Sequence, residues 1–128
     1  MASQISTYGE NKILDHVLHS SNSFSKPAGV YVKLHLGAPG AAGTTNAAVN
    51  ATRQQGTFAT AAASGSISNT ALITWTNVST TETYTAISLW DASSAGNCLW
   101  IGDLTASKAV NAGDTFEFGI GNLTFTLT

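Results

Sequence analysis

The fold predicted for this chain is all-β. Residues 1–128 read as one domain, an antiparallel, jelly-roll-like β-sandwich with strands over 30–128 and a short N-terminal α-helix over 7–20. Three observations lead there. From Val30 onward apolar and polar residues alternate with period two, the pattern of a half-buried strand. Seven or eight such runs follow at fairly even spacing, parted by Gly-, Asn-, Asp- and Ser-containing turns, as in sandwiches and jelly rolls. Hydrophobic residues make up 43% of the chain and charged ones 9%, against about 25% charged in an average domain. Such a chain has the apolar content to order itself, which highly charged disordered chains lack, and its surface is rich in Ser and Thr rather than in charge.

The helix comes first. Thr7 and Glu10 have capping-box spacing, in which a hydroxyl takes an orphan amide and a carboxylate reaches back. Ile13, Leu14, Val17 and Leu18 then share one face, and "HSSNS" ends the pattern with loop chemistry. A helix this short is marginal alone and must dock on something. In "VYVKLHL", Val30, Val32, Leu34 and Leu36 point one way and Tyr31, Lys33 and His35 the other, so His35 is expected at the surface. Residues 37–50 lack both charge and apolar pattern. They read as a long loop, pliant through its glycines and small side chains, of the length that tends to be functional or mobile.

Weaker strands are expected around Gln55–Ala62 and Gly65–Ser68, then at Leu72–Trp75 and Tyr84–Trp90. "DASSAGN" is a turn leading into "CLWIGDL", and "NAGD" turns the chain into "TFEFGI", with Phe116, Phe118 and Ile120 alternating. The final run places Leu123, Phe125 and Leu127 inward. Trp75, Trp90 and Trp100 read first as core aromatics. By parity Trp90 groups with Tyr84, Ala86 and Ser88, opposite Ile87 and Leu89, which puts it on an outer face suited to an interface.

Candidate chemistry is sparse. The net charge of -2 and scattered Lys12, Lys26, Lys33, Arg53 and Lys108 form no basic stripe, so no nucleic-acid partner is expected. Cys98 is the single cysteine and cannot form an internal disulfide. No apolar run approaches membrane-spanning length and the first residues hold no apolar signal core, so no membrane partner is expected and synthesis in a cytoplasm is. His16 and His19 are three apart on the helix, but no third ligand completes a metal set, and Asp15 points elsewhere on the wheel. Asp91, Asp103 and Asp114 read as turn caps; Asp91 and Asp103 are the best available carboxylate pair for glycoside chemistry. "GAPGAAG" lacks the lysine and helix of a phosphate loop, and no nucleophile elbow occurs. The N-x-[ST] triplets at Asn50, Asn77 and Asn122 are what chance gives in a chain this rich in Ser and Thr. The expectation is a protein that is not an enzyme and uses no cofactor or metal.

The order of motifs resembles a family of small virion structural proteins of tailed bacteriophages. The resemblance is carried by Asn11, Lys12, Leu14, Asp15, His16 and Leu18 in the helix, then Pro27, Val30, Tyr31 and Leu34, then Pro39, Gly40 and Gly43. "AASGSISNTALITW", "ISLWDASSAGNCLWIGDL" and the segment Leu104–Thr115 extend it over nearly the whole chain. Two departures stand out. Ala38 sits where an acidic residue is frequent, and "ATRQQGTFA" around Arg53 replaces a Gly-Gly-x-Tyr-Ala-Arg phrase. Such proteins are labelled tail-fibre, minor tail or head-decoration proteins.

The resemblance implies a virion structural role and supplies no catalytic residues. The preferred expectation is a capsid decoration (cement) protein on the outer surface of the head, binding the major capsid protein and copies of itself as a homo-oligomer. Its weakly charged surface loses little by desolvation on contact. Assembly contacts are expected from Ile13, Leu14, Val17 and Leu18 of the helix, from Pro39, Gly40 and Gly43 of the 37–50 loop, and from Trp90. The helix capping its own sandwich is an equal alternative. The runner-up role is a tail or tail-fibre component bound to tail proteins, and a third is a carbohydrate-binding module for host-surface adhesion that stacks sugars on Tyr31, Tyr84 or Trp90.

Overall fold

The computed structural model describes residues 1–21 and 24–127. Asn22 and Ser23, in the loop expected after the helix, and Thr128, at the end of the last run, lie outside the described residues. The elements are β1 (Ala2–Ile5), α1 (Thr7–Leu18), β2 (Val30–His35), β3 (Gln54–Gly56), β4 (Ser66–Ser68), β5 (Ile73–Trp75), β6 (Glu82–Trp90), β7 (Cys98–Val110), β8 (Phe116–Phe118) and β9 (Thr124–Thr126). All strand pairs are antiparallel. One sheet runs β1-β7-β6-β2-β3, and two ribbons, β4-β9 and β5-β8, form the facing layer. The fold is therefore all-β and two-layered, as the alternation predicts.

The core lies between the layers. Val32, Leu34, Tyr84, Ile87, Leu89 and Val110 from the large sheet meet Ile73, Trp75, Phe116, Phe118, Leu123 and Phe125 from the ribbons. Phe116 is its aromatic centre, with ring centroids 5.1 Å from Tyr84, 5.3 Å from Phe118 and 5.7 Å from Trp75, tilted or edge-on as aromatic quadrupoles prefer. Asn69, buried between the ribbons, has its polar atoms filled. Its amide donates to Ala71 O and Gly119 O, and its side-chain oxygen accepts from Leu123 N–H. It replaces the missing ladder between the two ribbons, which satisfies backbone groups that would otherwise be buried unpaired.

Several expectations are corrected here. Tyr84 and Trp90 share a parity in sequence yet face opposite sides, because the β6–β7 register shifts between Tyr84 and Ala86. Such an irregularity reverses the side on which every later residue lands. Tyr84 thus belongs to the core. Ile120 and Leu127 are exposed because β8 and β9 end before them, and Leu36 is exposed one residue past β2. Asp103 lies within β7, not at a turn, whereas Asp91 and Asp114 do accept turn amides, from Asn97 and Asn111.

The helix cap is also displaced by one residue. Ser6, not Thr7, is the N-cap: it accepts from Gly9 N–H at 2.9 Å and donates to Cys98 O, while its own N–H reaches Leu99 O. The tertiary bonds to β7 decide between two neighbouring hydroxyls. They meet β7 where its pairing with β6 slips between Leu89 and Trp90. A Cβ on Gly9 would stand 2.6 Å from Leu99 O, so only glycine lets the first helical turn lie this close. Strand β1, preceding the helix and paired to β7, has no sequence signal beyond "ASQI".

Phe116→Ala is expected to lower the unfolding free energy by about 3–5 kcal/mol, the usual cost of deleting a buried ring. Urea denaturation followed by tryptophan fluorescence measures it.

Candidate assembly surface

The side of the large sheet that faces away from the core carries Lys33 and His35 from β2, Ala86, Ser88 and Trp90 from β6, and Cys98, Ile101 and Asp103 from β7. The segment after β2 folds back over this face. Leu36 N–H donates to Asn46 O, Ala48 N–H to Leu34 O, and Asn46 Nδ2 to Ala38 O. Glu82 accepts from Val49 N–H at 2.6 Å and Asn50 N–H at 3.3 Å, and Trp75 Nε1 donates to Thr52 O. The stretch expected to be a pliant loop is stapled along most of its length.

Beneath it runs a chain of hydrogen bonds. Trp90 Nε1–H donates to Ser88 Oγ at 2.7 Å, Ser88 Oγ lies 2.7 Å from His35 Nε2, and His35 Nδ1 lies 2.8 Å from Thr45 O. A carbonyl only accepts, so Nδ1 carries the proton; the Ser88 hydroxyl then donates to Nε2, and every group is satisfied with a neutral ring. His35 is 0% exposed, which corrects its expected surface position, and burial holds it below its ordinary value. The physical reason is the loop: parity puts His35 on the outward side of β2, and the loop then covers that side.

Trp90 is 6% exposed for the same reason. Arg53 stacks over its ring, 4.0 Å from guanidinium carbon to centroid, and donates to Ala92 O and Ala95 O of the β6–β7 turn. Burial, and then the charge of Arg53, hold Lys33 below its ordinary value. Gly43 is packed against Cys98 and Ser88 at φ +70, so both backbone angle and space require glycine there. Pro39 is buried as well, while Gly40, at φ +73, is exposed.

The helix differs. Its first turn is held against β7, and Ile13 is half-buried, but Leu14 is 55%, Val17 70% and Leu18 72% exposed. Of the expected contact residues, the structure leaves Leu14, Val17, Leu18 and Gly40 open to a partner and engages Pro39, Gly43 and Trp90 in packing of its own. His35, Ser88 and Glu82 position the loop and Arg53 holds the β6–β7 turn; the sequence pattern marks none of them as a contact and places His35 at the surface. His35 and Ser88 carry a signal, as polar residues that parity puts on the outward side of β2 and β6. Nothing in the sequence distinguishes Glu82, and Arg53 stands out there only within the departing "ATRQQGTFA" phrase.

The remaining candidates do not converge. His16 Nδ1 accepts from Phe24 N–H and His19 Nδ1 from Ser21 N–H, and among the described residues no three His, Cys, Asp or Glu side chains come together. Asp103 pairs with Ala86, five residues before Asp91, which offsets the two backbone positions along the sheet by about 16 Å at strand rise. A glycosidase pair needs about 5–9.5 Å. Burial removes Tyr84 and Trp90 as platforms for a sugar; Tyr31 remains half-exposed. No helix among the described residues is long and apolar enough to cross a membrane.

A β-sandwich over almost the full chain and the ordered motifs agree with the class the resemblance implies, the small structural proteins of tailed-phage virions. The match can be narrowed. Residues 4–126 fit the family described as podophage GP4 fiber I protein gp80, and the chain belongs to that family. No curated protein matches the chain.

Burial raises the Cys98 thiol to about 11 from 9.0. At pH 8 this leaves the folded protein with about a hundredth of the thiolate of an unfolded chain. Iodoacetamide labelling followed by mass spectrometry is expected to run at least that much slower in buffer than in urea.

Proposed function

We propose that this protein is a non-enzymatic building block of a virion fibre, joined to copies of itself or to neighbouring fibre proteins through the uncovered face of α1. Beyond the match to a fibre-protein family over residues 4–126, one observation carries the reading: the fold leaves Leu14, Val17 and Leu18 together in solvent on one helix face. Apolar side chains clustered on one exposed helix face favour burial against a partner, at about 25 cal/mol per Å² removed from water. The same exposure argues against the helix as a mere cap, since a cap turns those residues inward. Repetition along a fibre adds strength, because each further contact forms between subunits already held together.

The second reading is capsid decoration, with the major capsid protein as partner. Its support is the outer surface of the stapled loop: Gly37–Thr52 carries no charged side chain, and Ala41, Ala42, Thr44 and Ala47 are small and exposed, so another protein can seat there with little desolvation cost. Antibody-gold labelling of intact particles separates the two. Label on fibres is the expected result; label over the head surface replaces the fibre reading with decoration, and unlabelled particles defeat both.

The triple variant Leu14→Ser, Val17→Ser, Leu18→Ser tests the contact face. Each substitution is exposed, so the melting temperature is expected to stay within a few degrees of wild type. Incorporation into particles, scored by immunoblot of purified virions, is expected to fall at least tenfold. Normal incorporation rules out this face.

A further inference from the structure

We propose that His35 is an acid-sensitive latch: while neutral it fastens the 36–50 segment over β6, and on taking up a proton it releases that segment and uncovers Trp90 and Cys98. The inference rests on how donors and acceptors are counted in a dry site. In the closed form the relay Trp90→Ser88→His35→Thr45 uses one donor at every step. A charged imidazole has two donors and no acceptor. Nδ1–H keeps Thr45 O, but Nε2–H must now give to Ser88 Oγ, which already takes the Trp90 N–H. The Ser88 hydroxyl proton then loses the acceptor it has in the closed form, and a full positive charge sits at a position with no solvent exposure. Opening the loop hydrates both groups.

The neighbours do not offset that charge at contact range. Lys33, two residues along β2, repels it. Arg53 lies over Trp90 and adds positive charge to the same face. The covering segment from Gly37 to Thr52 carries no titratable side chain. From β7 come the protonated Cys98 and Asp103, the latter two strands away in the cross-strand row His35–Ala86–Asp103. Tyr8 of α1 borders the cleft that the loop forms with Trp90 and Cys98. Glu82 of β6 holds Val49 and Asn50 at the far end of the segment and is the one carboxylate bonded to it among the described residues.

The direction of the effect follows from linkage. Burial lowers the folded value of His35 below the ordinary 6.5, so the opened chain takes up the proton first. Closure is at full strength above pH 6.5 and weakens as pH falls from there toward the folded value. A single such proton reduces the closed-to-open ratio by up to about tenfold per pH unit.

Hydrogen exchange on the whole chain, corrected for the intrinsic pH dependence of exchange, reads this directly. Protection of the Leu36 and Ala48 amides, which bond across the closed segment, is expected to fall by up to about tenfold between pH 7.5 and 5.5, while β6–β7 ladder amides hold. In His35→Gln, which retains a donor and an acceptor but does not titrate, the fall is expected to vanish. NMR titration of the wild-type ring supplies a readout independent of any variant, with His35 expected to stay neutral below pH 6.5 while the loop is closed. An unchanged wild-type protection pattern, or a ring that titrates at its ordinary value, overturns the latch. So does a loss of protection that persists in His35→Gln but disappears in Glu82→Gln, since that assigns the sensitivity to the carboxylate.

Discussion

Strand β6 is buried on both faces, and the two faces impose different physical demands. On the inner face Tyr84, Ile87 and Leu89 meet an aromatic layer in which burial alone supplies the driving force. On the outer face Ala86, Ser88 and Trp90 are covered by a segment of small residues with little apolar surface to offer. That cover holds because its backbone groups find partners: Leu34 O, Thr45 O bonded to His35, and the Glu82 carboxylate. A buried polar group left without a partner costs about 1–3 kcal/mol, so a loop seated this way is fixed by the penalty for leaving as much as by attraction.

The cover in turn governs what the molecule presents to others. Gly43 fits against Cys98, Arg53 lies on Trp90, and the β6–β7 turn is held by the same guanidinium through two carbonyls. These contacts consume side chains that would otherwise make an adhesive sheet face. The outer surface of the loop and the second half of α1 stay exposed, as do Leu72, Ile120 and Leu127 elsewhere on the surface. The helix is anchored at its beginning, through Ser6 and Gly9, and left bare toward its end.

Much of the fold was legible in the sequence, since period-two alternation identifies Val32 and Leu34, Ile87 and Leu89, Phe116 and Phe118, and Leu123 and Phe125 as facing one core. Less legible were features set by single backbone irregularities. The slip in pairing after Tyr84 separates it from Trp90, and no periodicity records where a ladder slips. Strand β1 went unread because Ala2–Ile5 pairs mainly by backbone, which every sequence possesses. The site was the hardest part. The glycines of residues 37–50 announce freedom of the backbone, whereas hydrogen bonds from His35, Glu82 and Asn46 remove that freedom, and those partners lie up to tens of residues away.

Leaving the helix end bare has a colloidal consequence for the free chain. The net charge is only -2, so two unassembled copies repel one another weakly, and the exposed Leu14, Val17 and Leu18 stripe gives them an apolar surface through which to stick. Low charge beside exposed apolar side chains is the condition under which a free chain is prone to clump at high concentration.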